Sequence, residues 1–279
     1  MKLFRHGEKG AERPGILING RHLDLGDAVP DLIGPGVGLN AIQDIQKIDP
    51  TGLAELGDET RLGPCIGTPP NIFCIARNYG KHARELLAEA PKEPLLFQKA
   101  SSSLNGPFDA ILLPKDAEQT DWEVELGVVI GRPTYQVSDT EALNFVSGYF
   151  TANDISERRW QRMGTGQWTK GKSSPSFCPI GPYLVTAEDV INPNMLDLTM
   201  KRNGIVMQNA STDAMLFSVA ELISYLSRFL ELQSGDILLT GTPQGVGAGM
   251  DPKQFLEVGD VIETEVEGLG AMRNPVVAA

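Results

Sequence analysis

Cysteine, histidine and aromatic residues are scarce in this sequence. Its 279 residues include three cysteines, three histidines and 6% aromatics, and no two cysteines have the Cys-x-x-Cys spacing. An odd, scattered set of cysteines argues against a disulfide framework and against a structural zinc site. We therefore expect Cys65, Cys74 and Cys178 to be reduced, buried thiols of a cytoplasmic protein. A chain of this length buries enough surface to fold without such crosslinks.

Positive charge is also in short supply, because 24 Lys and Arg face 36 Asp and Glu, for a net charge of −12. The sequence has no cluster of basic residues, which disfavours nucleic acid and anionic membrane surfaces as partners. No apolar run reaches the 18 residues that a membrane span requires. The first eight residues are charged and lack the apolar core of a signal peptide. These features predict a cytoplasmic protein.

The sequence divides into two regions. Residues 1–68 predict a small N-terminal domain that contains strands, and residues 69–279 predict a larger catalytic domain. In the first region, Asn19-Gly20 lies between two short apolar runs and predicts a type I′ hairpin. In the second, many short strands and few helices favour an α+β fold built on a mixed β-roll or barrel, rather than alternating βαβ units.

Apolar periodicity and turn residues predict the elements around a candidate site. Strands are predicted at 72–76, 95–99, 110–113 and 121–131, helices at 38–48, 81–90, 157–163 and 218–232, and a helix that runs into a strand at 139–150. Glycine-rich loops are predicted at 164–181 and 240–249. The pattern Leu-x-x-Gly-Asp-Ile/Val occurs at 232–237 and 256–261, and each copy predicts a turn that leads into a strand.

Three acids alternate at the start of the predicted strand 121–131. In a strand, Asp121, Glu123 and Glu125 share one face. The strand continues with apolar residues on both faces, which indicates burial. Buried carboxylates repel one another, so either one of them holds a proton or a cation lies between them. The alternative is a solvated acidic face at an exposed strand end.

A further acid, Asp154, follows an aromatic strand and precedes a predicted helix. Taken alone, it fits an N-cap or a turn. Together with Glu123 and Glu125 it would form an all-oxygen site, which suits Mg²⁺ or Mn²⁺ better than Zn²⁺.

Two other features suggest acid–base and anion-binding chemistry. His82 and Glu85 are three residues apart, so on a helix the carboxylate reaches the imidazole; the pair fits a general base or a plain surface ion pair. Lys172 follows the loop and could offset an anionic substrate, or be a solvated cation. The loop 240–249 is neither a P-loop nor a dinucleotide fingerprint, and fits a carboxylate-binding loop or a tight glycine turn.

In this order and spacing, the segments resemble the fumarylacetoacetate hydrolase family over residues 71–274. The motifs that carry the resemblance are Arg77-Asn78-Tyr79 with His82 and Glu85, then 93–99, 121–131, 148–149, 153–156, 168–173, 181–182 and 235–243. The family's usual Ser-Ala-Arg-Asp-x-x-Gln run reads Ser-Glu-Arg-Arg-Trp-Gln at 156–161, a departure that leaves the acids intact. The opening residues are similar to the subgroup of acylpyruvate and 2,4-diketo-3-deoxy sugar-acid hydrolases.

The resemblance implies a β-roll catalytic domain, a small N-terminal domain and a homodimer. It implies that Mg²⁺ or Mn²⁺ is held by Glu123, Glu125 and Asp154, that His82 and Glu85 activate water, and that Lys172 stabilises an oxyanion. It implies substrate contacts at Arg77, Tyr79, Lys99, Gln161 and Thr242.

The leading hypothesis is a hydrolase that cleaves the C3–C4 bond of a 2,4-diketo acid, giving pyruvate and a carboxylic acid. The substrate would be an acylpyruvate or a diketo-deoxy sugar acid, a small anionic keto acid. Decarboxylation of oxaloacetate or another β-keto acid, and isomerisation of an unsaturated keto-diacid, use the same enolate chemistry and stay open. A binding protein without catalytic activity is a third interpretation, against which the complete set of acids and the His82–Glu85 pair argue.

Overall fold

The computed structural model describes residues 1–87 and 89–279. The α-helices are α1 (Leu39–Ile45), α2 (Gly80–Glu85), α3 (Asp139–Ala142), α4 (Arg158–Arg162), α5 (Thr169–Lys172) and α6 (Val219–Ser227). The strands are β1 (Lys2–His6), β2 (Arg13–Ile18), β3 (Arg21–Asp24), β4 (Ile72–Ala76), β5 (Leu95–Lys99), β6 (Leu104–Asn105), β7 (Ile111–Leu113), β8 (Thr120–Asp121), β9 (Val124–Ile130), β10 (Val146–Asn153), β11 (Ser156–Glu157), β12 (Cys178–Thr186), β13 (Asp197–Arg202), β14 (Ile205–Ser211), β15 (Ile237–Leu239), β16 (Val261–Val266) and β17 (Gly270–Ala278). No helix within this described part is long and apolar enough to cross a bilayer.

The strands form a large sheet, a small sheet and a two-stranded ribbon. The large sheet has the order β3-β2-β1-β12-β10-β9-β15-β4-β5, and β6 pairs with β12 outside this path. The small sheet has the order β14-β13-β16-β17-β7, and β8 pairs with β11. Across the described residues each sheet keeps two free edges, so the mixed α+β class is confirmed but the predicted barrel is wrong.

The N-terminal strands belong to the large sheet. Asn19 and Gly20 have φ values of +52° and +78° and join β2 to β3, so the predicted type I′ hairpin is confirmed. Strand β1 pairs with β12, which makes the hairpin an extension of the central strands. Side chains of the first 66 residues also share a core with β4, β10 and β15. A separate domain over residues 1–68 is therefore not confirmed.

Two buried layers cover the faces of the large sheet. One contains alternate residues of β9, the helix α6 and parts of the small sheet. The other contains the N-terminal segments and the opposite face of β9 and β10. All residues of β9 and β10 are buried, and a Cβ atom at Gly127 would lie 2.1 Å from the Phe150 ring. Burial on both faces explains the continuous apolar run that follows the acids.

The structure differs from the predicted elements in four places. The predicted strand 121–131 is interrupted at Trp122 and Glu123, which separate β8 from β9. The predicted helix 81–90 is the shorter α2, and Ala88 lies outside the described residues. The predicted loop 164–181 contains α5 and the start of β12. Helix α6 has the capping box of Ser218 and Glu221, and it ends five residues before the predicted 232.

Candidate metal centre and active site

Three buried carboxylates converge where β9 begins and β10 ends. Oxygen atoms of Glu123, Glu125 and Asp154 lie within 4.8 Å of one another. Strands β9 and β10 are antiparallel neighbours, with Ala152 opposite Glu125. Just beyond this pairing, the Asp154 amide donates a 2.9 Å hydrogen bond to the Glu123 carbonyl. The ends of two adjacent central strands therefore bring together acids that are about 30 residues apart in the sequence.

The interruption of the strand at Glu123 is held in place by amide side chains. Asn153 accepts a 2.9 Å hydrogen bond from the Glu123 amide and donates one of 3.1 Å to the Thr264 hydroxyl. Gln208 accepts a 3.0 Å bond from the Val124 amide. These side chains satisfy backbone groups that leave the strand ladder, so the irregular segment is fixed.

Buried cations surround the acids. Lys172 Nζ lies 2.6 Å from Glu123 Oε2 and 2.5 Å from Asp154 Oδ2. Lys99 Nζ lies 2.6 Å from Asp154 Oδ1, and Arg158 Nη1 lies 2.6 Å from Glu123 Oε1. Glu125 has a different environment, since its carboxylate accepts a 2.7 Å bond from the amide of Gly241.

These neighbours move the pKa values in opposite directions. Burial raises the pKa of Glu123, but Arg158 and Lys172 outweigh it and hold that pKa well below its usual range. For Glu125, burial and the negative charges of Asp154 and Glu123 raise the pKa well above its usual value. Burial lowers the pKa of Lys172, but the negative charges of Asp154 and Glu123 outweigh burial and raise that pKa above its usual value. Glu125 is thus the acid whose charge the protein compensates least.

The donor set fits a hard divalent cation. All three groups offer carboxylate oxygens, which Mg²⁺ and Mn²⁺ prefer. The three oxygens lie within 4.8 Å of one another, so one ion between them could contact all three carboxylates. The strain of three like charges in one buried place is the reason that a cation is favourable there. The acids that the sequence analysis grouped are therefore suited to hold the metal.

The His82–Glu85 pair lies on the short helix α2. His82 Nδ1 is 3.3 Å from Glu85 Oε2, and Glu85 Oε1 accepts a 2.9 Å bond from the amide of Gly245. Fixing the carboxylate at both oxygens favours the tautomer in which Nδ1 carries the proton and donates to Glu85. The other ring nitrogen then has a free lone pair. His82 is buried, which is evidence against a plain surface ion pair.

A cavity of about 270 Å³ connects these groups. Predicted site residues in its wall are Arg77, His82, Glu123, Glu125, Gln161, Lys172 and Thr242. Glu85 lies behind His82, and Asp154 lies behind Lys172. The remaining wall residues are Ile75, Ala76, Leu86, Phe97, Arg158, Arg162, Trp168 and Ala248. The candidate base and two of the candidate metal ligands therefore face one space.

Two predicted substrate contacts, Lys99 and Tyr79, do not line the cavity, and a third, Thr242, lines it with a hydroxyl that is already hydrogen-bonded. Lys99 is buried, and its amino group contacts Asp154 and the Ile155 carbonyl, away from the residues that line the cavity. Tyr79 is also outside the lining; its hydroxyl is buried without a hydrogen-bond partner among the described residues, and burial raises its pKa. The Thr242 hydroxyl donates to the Val124 carbonyl and accepts from Gln208.

Sequence reasoning did not assign roles to Asp121 and Arg158. Arg158 Nε lies 2.8 Å from Asp121 Oδ2, while Nη1 of the same side chain contacts Glu123. Asp121 also accepts hydrogen bonds from the amides of Trp122, Gly247 and Ala248, at 2.7–3.0 Å. It therefore joins the glycine-rich loop to Arg158. No local spacing signals this pair, because Asp121 and Arg158 are 37 positions apart and residues 154–157 are not helical.

Comparison with known proteins identifies the family. The model described as "Fumarylacetoacetate (FAA) hydrolase C-terminal" matches residues 71–277. The chain belongs to the fumarylacetoacetate hydrolase family. The family resemblance that the motifs indicated is thereby confirmed. A curated protein of Burkholderia ambifaria, which carries a provisional hydrolase name, is 46% identical over 97% of this chain and 96% of its own length.

Solved structures of the fumarylacetoacetate hydrolase family agree over the whole chain. A fumarylacetoacetate hydrolase from Exiguobacterium antarcticum has a TM-score of 0.84 and 34% identity, with 100% of both chains covered. A 2-hydroxyhepta-2,4-diene-1,7-dioate isomerase from Mycobacterium marinum has a TM-score of 0.79 and 29% identity, with 100% of this chain and 98% of that chain covered. Similar proteins therefore carry hydrolase and isomerase names.

Proposed function

We propose that this protein is a metal-dependent hydrolase that cleaves the C3–C4 bond of a 2,4-diketo acid to pyruvate and a carboxylic acid. One observation carries the proposal. The acids Glu123, Glu125 and Asp154 meet beside a cavity that also contains His82, whose Nδ1 faces a fixed Glu85 carboxylate. A cation site and an oriented base in one cavity are the two parts that such a hydrolysis requires.

Glu123, Glu125 and Asp154 would hold Mg²⁺ or Mn²⁺. A bound ion would supply a Lewis acid that stabilises the negative charge developing on the substrate.

His82 supplies the base in this scheme. Its unprotonated ring nitrogen takes a proton from water, and the hydroxide attacks the C4 carbonyl of the substrate. The C3–C4 bond then breaks, and its electron pair remains on C3 as the enolate of pyruvate. The protonated His82 returns the proton to C3, so pyruvate and the carboxylic acid leave. Glu85 stabilises the imidazolium through the 3.3 Å contact.

Lys172 and Gln161 complete the polar wall. Lys172 stays charged because Asp154 and Glu123 raise its pKa, so it can stabilise the oxyanion that forms at C4. Gln161 is half-buried in the same wall and can donate a hydrogen bond from its amide. Thr242, which the sequence analysis also assigned to the substrate, uses its hydroxyl hydrogen on the Val124 carbonyl and is limited to accepting bonds.

The metal proposal is tested with Glu125→Gln. This change keeps the shape of the side chain but removes one ligand charge. Acylpyruvate cleavage with saturating Mg²⁺ should fall at least ~100-fold, because several kcal/mol of charge stabilisation depend on the ion. The exposed Glu231→Gln is the matched control and should keep wild-type turnover. Normal turnover in Glu125→Gln would remove the metal from the mechanism.

Keto-diacid isomerisation is the second candidate, favoured by the isomerase name of one structural relative. Oxaloacetate decarboxylation uses the same enolate chemistry and is tested with it. The three reactions give different products, so incubation with acylpyruvates, oxaloacetate, diketo sugar acids and unsaturated keto-diacids separates them. A decarboxylase needs no attacking water. If the protein is a hydrolase, His82→Ala should therefore abolish acylpyruvate cleavage in a single turnover. If the protein is a decarboxylase, the same variant should largely keep its decarboxylation of oxaloacetate.

A further inference from the structure

Backbone amides of the glycine-rich loop at residues 240–249 bind carboxylates on both sides of the site. The Gly241 amide donates a 2.7 Å hydrogen bond to Glu125, one of the candidate metal ligands. Further along the loop, the Gly245 amide donates one of 2.9 Å to Glu85 Oε1. The loop thus connects the acids to the candidate base, and the direction of the Gly245 N–H decides where the Glu85 carboxylate is held.

Gly245 cannot fix this direction by itself. Its φ is +101°, and a residue without Cβ has no side chain that limits its rotation. A Cβ atom here would lie 2.1 Å from the Met207 carbonyl oxygen, so the loop packs too closely on β14 for another residue. The orientation must therefore come from bonds to nearby carbonyls. Gln208 donates a 2.9 Å bond to the Pro243 carbonyl, and Trp122 Nε1 donates one of 3.0 Å to the carbonyl of Gly245 itself.

Trp122 lies in the break between β8 and β9, beside the candidate metal ligand Glu123. Its side chain is fully buried, and Arg202 Cζ lies 5.8 Å from the centre of its ring. The indole N–H can only donate, and a buried one needs an acceptor. Here that acceptor is the carbonyl of Gly245. The segment that supplies metal-site acids therefore also binds the loop that holds Glu85.

We propose that Trp122 is a positioning residue for the base. Its indole N–H fixes the Gly245 carbonyl, the Gly245 amide fixes Glu85 Oε1, and Glu85 Oε2 then faces His82 Nδ1 at 3.3 Å. The inference rests on the proposed function, because it assigns the support of the base that the hydrolysis uses. Trp122 does not line the cavity, so it acts through this chain of hydrogen bonds. Without the indole donor, the loop holds the Glu85 carboxylate less firmly.

The tautomer of His82 reports on the position of Glu85 without any turnover. A carboxylate held at Nδ1 favours the tautomer with the proton on that nitrogen, and NMR spectra of protein labelled with ¹⁵N-histidine distinguish the two tautomers. The chain has three histidines, so the His82 signals are identified by their loss in His82→Asn. In the Mg²⁺-loaded protein at about pH 8.5, where free imidazole is neutral, His82 should be mainly the Nδ1–H tautomer.

Two variants remove the indole donor. In Trp122→Phe, the ratio of the Nδ1–H to the Nε2–H tautomer of His82 should fall about 2- to 10-fold, the range of one net hydrogen bond. Trp122→benzothienylalanine has sulfur in place of the N–H and keeps the fused rings, so it should give the same fall while the packing is preserved. Trp160→Phe, the same substitution at a half-buried position of α4, is the matched control and should keep the wild-type ratio.

Turnover then separates a positioning role from a structural one. In both variants of Trp122, the kcat for acylpyruvate cleavage should fall about 2- to 10-fold. KM should keep its wild-type value, because Trp122 does not line the cavity that would bind the substrate. An unchanged tautomer ratio or an unchanged kcat in the benzothienylalanine variant would overturn the inference. If the ratio falls but the wild-type protein cleaves no 2,4-diketo acid, the positioning stands and the proposed hydrolysis fails.

Discussion

Asp121 offers a sharp test of how the site is held together. Its carboxylate is fully buried and accepts four hydrogen bonds. Oδ1 accepts from the amides of Trp122 and Gly247, and Oδ2 accepts from the amide of Ala248 and from Arg158. In Asp121→Asn the amide oxygen can replace Oδ1, but an NH₂ group replaces Oδ2. The variant therefore keeps two of the four acceptor contacts and turns the other two into donor–donor clashes.

The expected cost follows from those two contacts. Loss of the charged bond to Arg158 and of the acceptor for Ala248 should destabilise the fold by about 3–5 kcal/mol, because the Nε–H of Arg158 and the amide of Ala248 each lose their acceptor. Urea unfolding measures this as a lower midpoint with an unchanged slope. Arg158 also contacts Glu123, so we expect at least tenfold weaker Mg²⁺ binding in the folded variant, consistent with losses seen when groups that support metal ligands are removed.

The matched control for this experiment is Asp44→Asn. Asp44 is exposed and pairs with Lys47 on the surface, so its loss should change the stability by no more than ~0.5 kcal/mol. If Asp121→Asn unfolded with the wild-type midpoint and bound Mg²⁺ normally, the buried network would have no measurable role, and the account of how the glycine-rich loop is tied to Arg158 would be refuted.

Three further predictions concern the whole chain. Cys65, Cys74 and Cys178 are buried, and burial raises the pKa of Cys178 to about 12. A thiol reagent should therefore label three thiols per chain in urea and fewer than one in the native protein. Rapid labelling of the native protein would contradict this burial. Mg²⁺ at 100 times its Kd should stabilise the fold by ~2.7 kcal/mol, measured by thermal unfolding. This stabilisation should be absent in Glu125→Gln. Equal stabilisation of both proteins would indicate that Mg²⁺ binds elsewhere. Light scattering should give twice the 30.2 kDa chain mass if the homodimer is correct, and a monomeric mass would reject it.

The parts of the fold that depend on local chemistry were predictable from sequence. The Asn19-Gly20 hairpin follows from the positive φ values that its turn requires, and β4 and β5 follow from short apolar runs bounded by turn residues. The pairing of β1 with β12 was not predictable, because it joins residues more than 180 positions apart. Local patterns do not identify such a distant partner, so the sequence predicts a separate N-terminal domain.

The acidic group was predicted for a reason that proved only partly correct. Strand alternation placed Asp121, Glu123 and Glu125 on one face, but the ladder is interrupted at Trp122 and Glu123. Glu123 and Glu125 still converge with Asp154, since Asn153 fixes the interrupted segment from the neighbouring strand. Asp121 instead turns to Arg158 and the glycine-rich loop. The break therefore separates an acid that supports the site from the acids that are suited to bind the ion.

The local charge at the site differs from what the net charge of the whole chain predicts. At the inner end of the cavity, the four carboxylates of Asp121, Glu123, Glu125 and Asp154 are buried with three cations, Lys99, Arg158 and Lys172. This group has one negative charge more than positive charges, and Glu125 has the raised pKa that such an excess produces. A divalent ion turns the excess into a single positive charge, which in turn favours an anionic substrate. The net charge of −12 alone would predict repulsion of a keto acid. At the cavity, the cations that the fold brings together offset all but one of the local negative charges, and a bound divalent ion would make the local charge positive.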